Sequence, residues 1–172
     1  RPAVEAWTTA VEDLGHRLLE AMAVGLDLEP EWFSRHLTAD PTLLFRIFRY
    51  PAEPGPVDAW GVGEHTDYGL LTILAQDGHP GLQVRTPTGW VDVPADRHAL
   101  VCNLGDMLDR MTGGRYRSTP HRVRPAEDAD RLSFPFFLDP SWGAQVRPLP
   151  LRGDPPADDA PPRWDGTSLQ TL

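Results

Sequence analysis

Apolar residues near the start of the chain recur at the spacing of an amphipathic helix. Steps of three or four residues place the following side chains on one helical face: Trp7, Val11, Leu14, Leu18 and Met22. Gly25 ends the pattern, as glycine commonly does at a helix C-terminus. Pro30 precedes a second, shorter stretch over 31–37. The sequence therefore predicts one long and one short α-helix within residues 1–40.

Beyond these helices the pattern changes to short apolar stretches separated by Gly, Pro and Asp. Residues 43–50 predict a strand that ends at Pro51 and at the Pro54-Gly55-Pro56 loop. Further strands are predicted at 70–75, 81–85, 89–93, 99–103, 120–124 and 132–138. Many short strands at this spacing indicate a mainly β fold, a double-stranded β-helix or jelly roll, over residues 41–140. Residues 141–172, rich in Pro and Asp, predict an irregular tail, so we expect a single domain over 1–172.

Composition narrows the class of protein. The chain has 172 residues, of which 40% are hydrophobic and 9% aromatic, and this is typical of a globular domain. A formal net charge of −9 argues against nucleic acid as the main partner. The single cysteine, Cys102, excludes an internal disulfide and favours a cytoplasmic location. No apolar stretch has membrane-spanning length, so no membrane partner is expected.

Two histidines and an aspartate are the candidate metal ligands. His65 and Asp67 stand two positions apart, and alternate residues of a strand face the same side, so we expect both to project together. His121 lies far enough along the chain to return on another strand and complete a three-ligand face. Two imidazoles and one carboxylate form the ligand set that holds non-haem Fe(II) and leaves coordination positions open. The sequence thus predicts a redox metal, O2 and a small carboxylate co-substrate.

A second pair of residues indicates an anion site. Arg131 and Ser133 also stand two positions apart in an apolar stretch, so a guanidinium fork and a hydroxyl would share one face. Arginine is the side chain best suited to binding a carboxylate with two parallel hydrogen bonds. The structural alternative is an arginine that caps a loop and a serine on an exposed strand.

Five blocks in order carry a resemblance to a known family. They are His65–Thr72, Gly81–Val84, Asn103–Asp106, Ser118–Val123 and Arg131–Phe137. Together they resemble the isopenicillin N synthase-like family of Fe(II)/2-oxoglutarate-dependent oxygenases, over residues from about 42 to 140. Each block alone is a weak signal, but their order and spacing make the combination specific.

The resemblance implies a set of roles. It implies that His65, Asp67 and His121 bind Fe(II), and that Arg131 and Ser133 bind the distal carboxylate of 2-oxoglutarate. O2 would be the second co-substrate, and succinate and CO2 the products that leave. The expected activity is oxidation of an unactivated C–H bond of a small molecule. Hydroxylation is the commonest outcome in the family, and desaturation or ring closure occurs on the same scaffold.

The same resemblance extends to the aromatic residues of the pocket. It implies that the phenol of Tyr50 helps to bind the carboxylate of the co-substrate or substrate. The family often has Asn two residues before this Tyr, whereas this chain has Phe48. Phe136 and Phe137 are weaker candidates for a substrate pocket, because aromatic residues on a strand more often belong to the core.

Two alternative functions are compatible with the same residues. An oxidase like isopenicillin N synthase, which uses no 2-oxoglutarate, would share the same Arg, Ser and Tyr, and a non-catalytic jelly-roll binding module is the third alternative. Family members usually carry a further N-terminal region, so we expect that this chain lacks it. The complete absence of Lys favours a GC-rich bacterial genome and hence secondary metabolism. The oligomeric state is undetermined.

Overall fold

The computed structural model describes residues 1–52, 60–124, 129–149 and 151. These residues form three helices: α1 (Pro2–Gly25), α2 (Trp32–His36) and α3 (Asp106–Met111). They also form nine strands: β1 (Thr42–Phe45), β2 (Phe48–Tyr50), β3 (Val62–His65), β4 (Leu71–Gln76), β5 (Leu82–Thr86), β6 (Gly89–Asp92), β7 (Leu100–Leu104), β8 (His121–Val123) and β9 (Arg131–Asp139). The predicted loop at 54–56 and most of the predicted tail lie outside the described residues.

The strands form two antiparallel sheets that face each other across a cavity. The major sheet has the order β1-β9-β4-β7, and β2 also pairs with β9. The minor sheet has the order β3-β8-β5-β6. Side chains from both sheets line the same cavity, whose volume is about 400 Å³. The predicted jelly roll preceded by one long and one short helix is therefore confirmed.

The long helix α1 covers the outer face of the major sheet. Its buried line consists of Val11, Gly15, Leu19 and Ala23, whereas the larger residues of the predicted stripe flank this line and are partly buried. A Cβ atom at Gly15 would lie only 2.6 Å from Cδ1 of Leu138, so helix and sheet approach each other too closely for a side chain there. The predicted helical face is correct, but small residues occupy its centre because of this close contact.

Strand β9 separates the helix-packed core from the cavity. Its even-numbered residues Phe136 and Leu138 are fully buried in the core beneath α1. Its odd-numbered residues line the cavity: Arg131, Ser133, Pro135, Phe137 and Asp139. The strict alternation of a strand thus divides one sequence stretch between core and cavity.

Most predicted strands are found within one or two residues of their expected bounds, but β3 lies outside the predicted ranges and one predicted strand is divided. The predicted strand over 43–50 is two strands, β1 and β2, that pair with β9 on either side of Pro135. The Arg46 amide donates to the Pro135 carbonyl at 3.0 Å, but proline has no N–H with which to return the bond, so the pairing is interrupted. The short helix α3 was not predicted.

Neither α1, α2 nor α3 could cross a membrane, since none is both long and apolar enough. This finding concerns the described residues only, and the expected cytoplasmic location stays a prediction.

Candidate metal centre

The three predicted ligands converge at one edge of the cavity. His65 ends β3 and His121 begins β8, and the two residues are cross-strand partners in the minor sheet. Their imidazole rings lie 4.2 Å apart between centroids. Nε2 of His65 lies 4.0 Å, and Nε2 of His121 3.8 Å, from the same atom, Oδ1 of Asp67. One ligand atom from each residue falls within 4.8 Å of the others, which is close enough for a single metal ion.

Backbone carbonyls fix the orientation of both imidazoles. Nδ1 of His65 lies 2.9 Å from the carbonyl oxygen of Gly63, and Nδ1 of His121 lies 3.0 Å from that of Thr119. A carbonyl only accepts hydrogen bonds, so each neutral ring carries its proton on Nδ1 and keeps the Nε2 lone pair for a metal. Burial lowers the pKa of His121, which favours the neutral, metal-binding form.

Two polar side chains of the major sheet orient the carboxylate. Thr72 Oγ1 donates to Oδ2 of Asp67 at 2.5 Å, and Asn103 Nδ2 donates to the same oxygen at 2.7 Å. The other oxygen, Oδ1, is the one that faces the histidines. No role for Thr72 or Asn103 was predicted from the sequence. They are a cross-strand pair of β4 and β7, and a polar residue in each mainly apolar strand was the signal available.

Asp67 reaches the site for a reason other than the one predicted. It follows β3 instead of continuing it, so strand alternation does not place it beside His65. The N-terminus of α3 holds its loop: the Asp106 amide donates to the Asp67 carbonyl at 2.8 Å, and the Met107 amide to the Tyr68 carbonyl at 3.0 Å. The expectation of a shared strand face is therefore wrong, although the side chains do meet.

Arg131 lies at the other end of the cavity and is fully buried, at 0% exposure. Its Nε donates to the His79 carbonyl at 3.3 Å, and its Nη2 donates to Gln76 Oε1 at 3.2 Å. Nη1 is also buried and has no hydrogen-bond partner among the described residues. Tyr50 is its cross-strand partner on β2, and the phenol ring centroid lies 5.1 Å from the guanidinium carbon.

The charges at the Arg131 end of the cavity favour an anionic ligand. Burial lowers the pKa of Arg131, and it raises the pKa of Tyr50 although the nearby guanidinium opposes that change. An arginine pKa begins so high that the side chain remains a cation. A buried cation with an unsatisfied donor is costly unless an anion binds it. Ser133, on the same face of β9, lines the cavity beside it.

Only some of the aromatic residues predicted to line the substrate pocket do so, because alternate residues of a strand face opposite sides. Phe137 lines the cavity, as predicted, and Phe48 lines it at the position where the family often has Asn. Phe136 is 0% exposed and packs in the core beneath α1, so its proposed place in the substrate pocket is corrected. The two neighbouring residues point to opposite faces of β9.

The residues present fit a metal ion together with a dicarboxylate co-substrate. Two neutral imidazoles and a carboxylate with one free oxygen are a donor set for non-haem Fe(II). The unsatisfied Nη1 of Arg131 offers a partner for a carboxylate bound within the same cavity. A jelly roll with such a site belongs to the class of mononuclear metal-binding enzymes that keep coordination positions open for substrates.

Comparison with known proteins identifies the family. Residues 41–140 match the model of the 2OG-Fe(II) oxygenase superfamily, and the chain belongs to this family. The chain is 46% identical over 181 residues to a probable iron/ascorbate oxidoreductase of Dictyostelium discoideum, a match that covers 94% of this chain and 49% of that protein. It is 35% identical over 196 residues to a 1-aminocyclopropane-1-carboxylate oxidase of Dictyostelium mucoroides, covering 94% and 53%.

A solved structure gives the same result for the fold. A full-length protein of Neurospora crassa, crystallised in complex with alpha-KG, matches with a TM-score of 0.78 and 28% identity over 86% of this chain and 48% of that chain. The chain spans about half the length of the curated relatives that it matches.

Proposed function

We propose that this protein is a non-haem Fe(II)- and 2-oxoglutarate-dependent oxygenase that oxidises an unactivated C–H bond of a small molecule. The observation that carries the proposal is the presence, in one cavity, of a three-ligand metal cluster and a buried arginine with an unsatisfied Nη1. The first feature suits Fe(II), and the second suits the distal carboxylate of 2-oxoglutarate. The structural relative from Neurospora crassa carries alpha-KG, which supports the same choice.

Each residue of the site has a defined part in this proposal. Nε2 of His65, Nε2 of His121 and Oδ1 of Asp67 would hold the iron. Arg131 and Ser133 bind the distal carboxylate, and Tyr50 contributes its phenol at the same end. When bound, iron and 2-oxoglutarate supply the oxidation: O2 gives one oxygen atom to succinate, formed with release of CO2, and the other oxidises the substrate.

The cavity sets the scale of the substrate. Its volume of about 400 Å³ is in the range of small-molecule sites and must hold both 2-oxoglutarate and the part of the substrate that reacts. We propose hydroxylation as the reaction, with desaturation and ring closure as alternatives that the same ligand set supports. A bacterial source and a place in secondary metabolism stay predictions from composition.

A second candidate is an Fe(II) oxidase that uses no 2-oxoglutarate. The similarity to a 1-aminocyclopropane-1-carboxylate oxidase favours it. In that case Arg131, Ser133 and Tyr50 would bind a carboxylate of the substrate itself, because their chemistry selects a carboxylate and not a particular molecule. A non-catalytic binding module is the third alternative.

An anaerobic titration separates these alternatives. Fe(II) is added first and 2-oxoglutarate second, and the visible metal-to-ligand charge-transfer band of the chelate is recorded. We expect a band in the wild-type protein, none in Asp67→Ala, and a much higher requirement for 2-oxoglutarate in Arg131→Met. Arg131→Met keeps the length and apolar volume of the side chain, and Arg17→Met on the exposed face of α1 is the matched control.

The outcomes are distinct. Iron binding without a band would favour the oxidase, and the absence of iron binding by folded protein would favour the binding module. If Arg131→Met weakened iron and 2-oxoglutarate equally, the loss would reflect unfolding, and the assignment of Arg131 to the carboxylate would be wrong. Circular dichroism on each variant establishes which of these cases applies.

A further inference from the structure

A carboxyl group lies in the cavity on the opposite side of the metal cluster from Arg131. Asp139 ends β9 and lines the cavity on the same strand face as Arg131. It follows Arg131 by eight residues, and at the rise of a strand this separates the two Cα atoms by roughly 26 Å. The metal ligand Asp67 is held between them, because its partner Thr72 pairs with Phe137 of β9.

Asp139 rests directly on the loop that carries the metal ligand. A Cβ atom at Gly69 would lie 1.4 Å from Oδ1 of Asp139, so the carboxyl occupies the space that any side chain at position 69 would need. The Leu70 amide donates a hydrogen bond to the same carboxyl. Asp139 therefore contacts the loop of the metal ligand Asp67 and lines the same cavity as the three ligands.

This carboxyl has unused capacity to accept hydrogen bonds. A carboxylate has about four acceptor positions, and among the described residues no side chain donates a hydrogen bond to Asp139 or pairs with it as a cation. The neighbouring cavity wall is apolar: Leu44 and Phe137 are cross-strand partners that both line the cavity. Arg46, two residues beyond Leu44, lines the cavity too, but it is exposed at the rim.

We propose that Asp139 is a specificity-determining residue that binds a hydrogen-bond donor of the primary substrate. The substrate class is a small molecule with an apolar body, packed on Leu44 and Phe137, and a hydroxyl or ammonium group directed at Asp139. The inference rests on the proposed function, since it places the substrate on the side of the metal that 2-oxoglutarate leaves free. The substrate must then carry a hydrogen-bond donor for Asp139, which the metal ligands alone do not require.

The variant Asp139→Asn distinguishes a role of Asp139 in substrate recognition from a role in supporting the loop that carries Asp67. Asp139→Asn keeps the size of the side chain and an oxygen for the Leu70 amide, so the metal loop stays in place. Its amide nitrogen would then face the cavity, where it donates and no longer accepts. Asp13→Asn, which removes the same charge from the exposed face of α1, is the matched control.

The experiment uses three probes with a common apolar body: benzyl alcohol, benzylamine and benzyl methyl ether. Ligand-observed NMR on metal-free protein gives their dissociation constants without any need for iron or 2-oxoglutarate. We expect the wild type and Asp13→Asn to bind benzyl alcohol or benzylamine about tenfold more tightly than the ether, as one hydrogen bond to a charged group predicts. In Asp139→Asn this preference should disappear or reverse. The stronger of the two donors in the wild type identifies the substrate group as hydroxyl or ammonium.

Two results would overturn the inference. One is an equal affinity of the wild type for donor probes and the ether; the other is a donor preference that survives in Asp139→Asn. The charge-transfer titration is independent: loss of the band with an intact donor preference contradicts the proposed function alone, and the converse contradicts this inference alone.

Discussion

The hydrogen bonds to Asp67 make a quantitative prediction about metal affinity. Thr72 and Asn103 donate to Oδ2 at 2.5 Å and 2.7 Å, and this leaves Oδ1 directed at the two histidines. We consider Thr72→Val, Asn103→Leu and the double variant. Valine has nearly the shape of threonine, so Thr72→Val removes the donor from a residue that is 5% exposed without opening a large cavity.

The expected loss of metal affinity follows from the role of the two hydrogen bonds, which orient the Asp67 carboxylate. Removal of groups that orient a metal ligand typically lowers metal affinity by about 10- to 100-fold. Each single variant keeps one donor on Oδ2, so we expect a loss of about tenfold, or about 1.4 kcal/mol. The double variant leaves a nearly buried carboxylate oxygen without either donor, and we expect about 100-fold or more. The metal-free protein should also lose about 1–3 kcal/mol of unfolding free energy per bond.

The assay is an anaerobic titration of Fe(II), with Co(II) as a spectroscopic check, alongside urea unfolding of the metal-free protein. Thr8→Val is the matched control, because the Thr8 hydroxyl donates to a backbone carbonyl on the exposed side of α1. It should leave metal affinity unchanged. If the folded double variant bound Fe(II) as tightly as the wild type, the argument that Thr72 and Asn103 hold Asp67 in position would be refuted.

Two further predictions concern the contact between the metal loop and β9. Gly69→Ala places a Cβ atom against the Asp139 carboxyl, so we expect it to lower both Fe(II) affinity and stability, the latter by about 1–3 kcal/mol. Gly143→Ala, with nothing within 4 Å and no part in the metal site, should do neither. Burial and the nearby Asp67 charge raise the pKa of Asp139, so its charged form costs stability above that pKa. Metal-free Asp139→Asn should therefore be more stable than the wild type at pH 7 in urea unfolding, and its advantage should shrink as pH falls through the raised pKa; a constant difference would contradict this.

The parts of the site that sequence reasoning anticipated are those fixed by residue type. The pair of histidines, the aspartate and the arginine have few other common uses in this combination, and the structure brings His65, Asp67 and His121 together. The supports of these residues were not anticipated. Thr72 and Asn103 acquire their role only because β4 and β7 pair in one particular register, and Gln76 meets Arg131 only through a fold contact across 55 positions.

Phe136 and Phe137 also show that the sequence alone does not determine which side chain faces the cavity. Phe136 and Phe137 are adjacent, and a strand must send one to the core and the other to the cavity. Composition cannot decide which, because a shift of one residue in register exchanges the two faces. The pairing of Phe137 with Thr72 and with Leu44 sets the register, and neither contact is local in sequence. The helix α3 is likewise short, at six residues, and too brief to show a helical period.

The position of β9 explains how one strand can organise the whole site. It lies inside the major sheet, with β1 and β2 on one side and β4 on the other, so neighbours on both sides fix its backbone. Arg131 and Asp139 are therefore held at a nearly constant separation, with the ligand Asp67 between them. A cavity built on such a strand has little freedom to adapt its two ends to each other. If the Arg131 end binds the carboxylate of 2-oxoglutarate, as we propose, substrate choice depends on side chains at the Asp139 end.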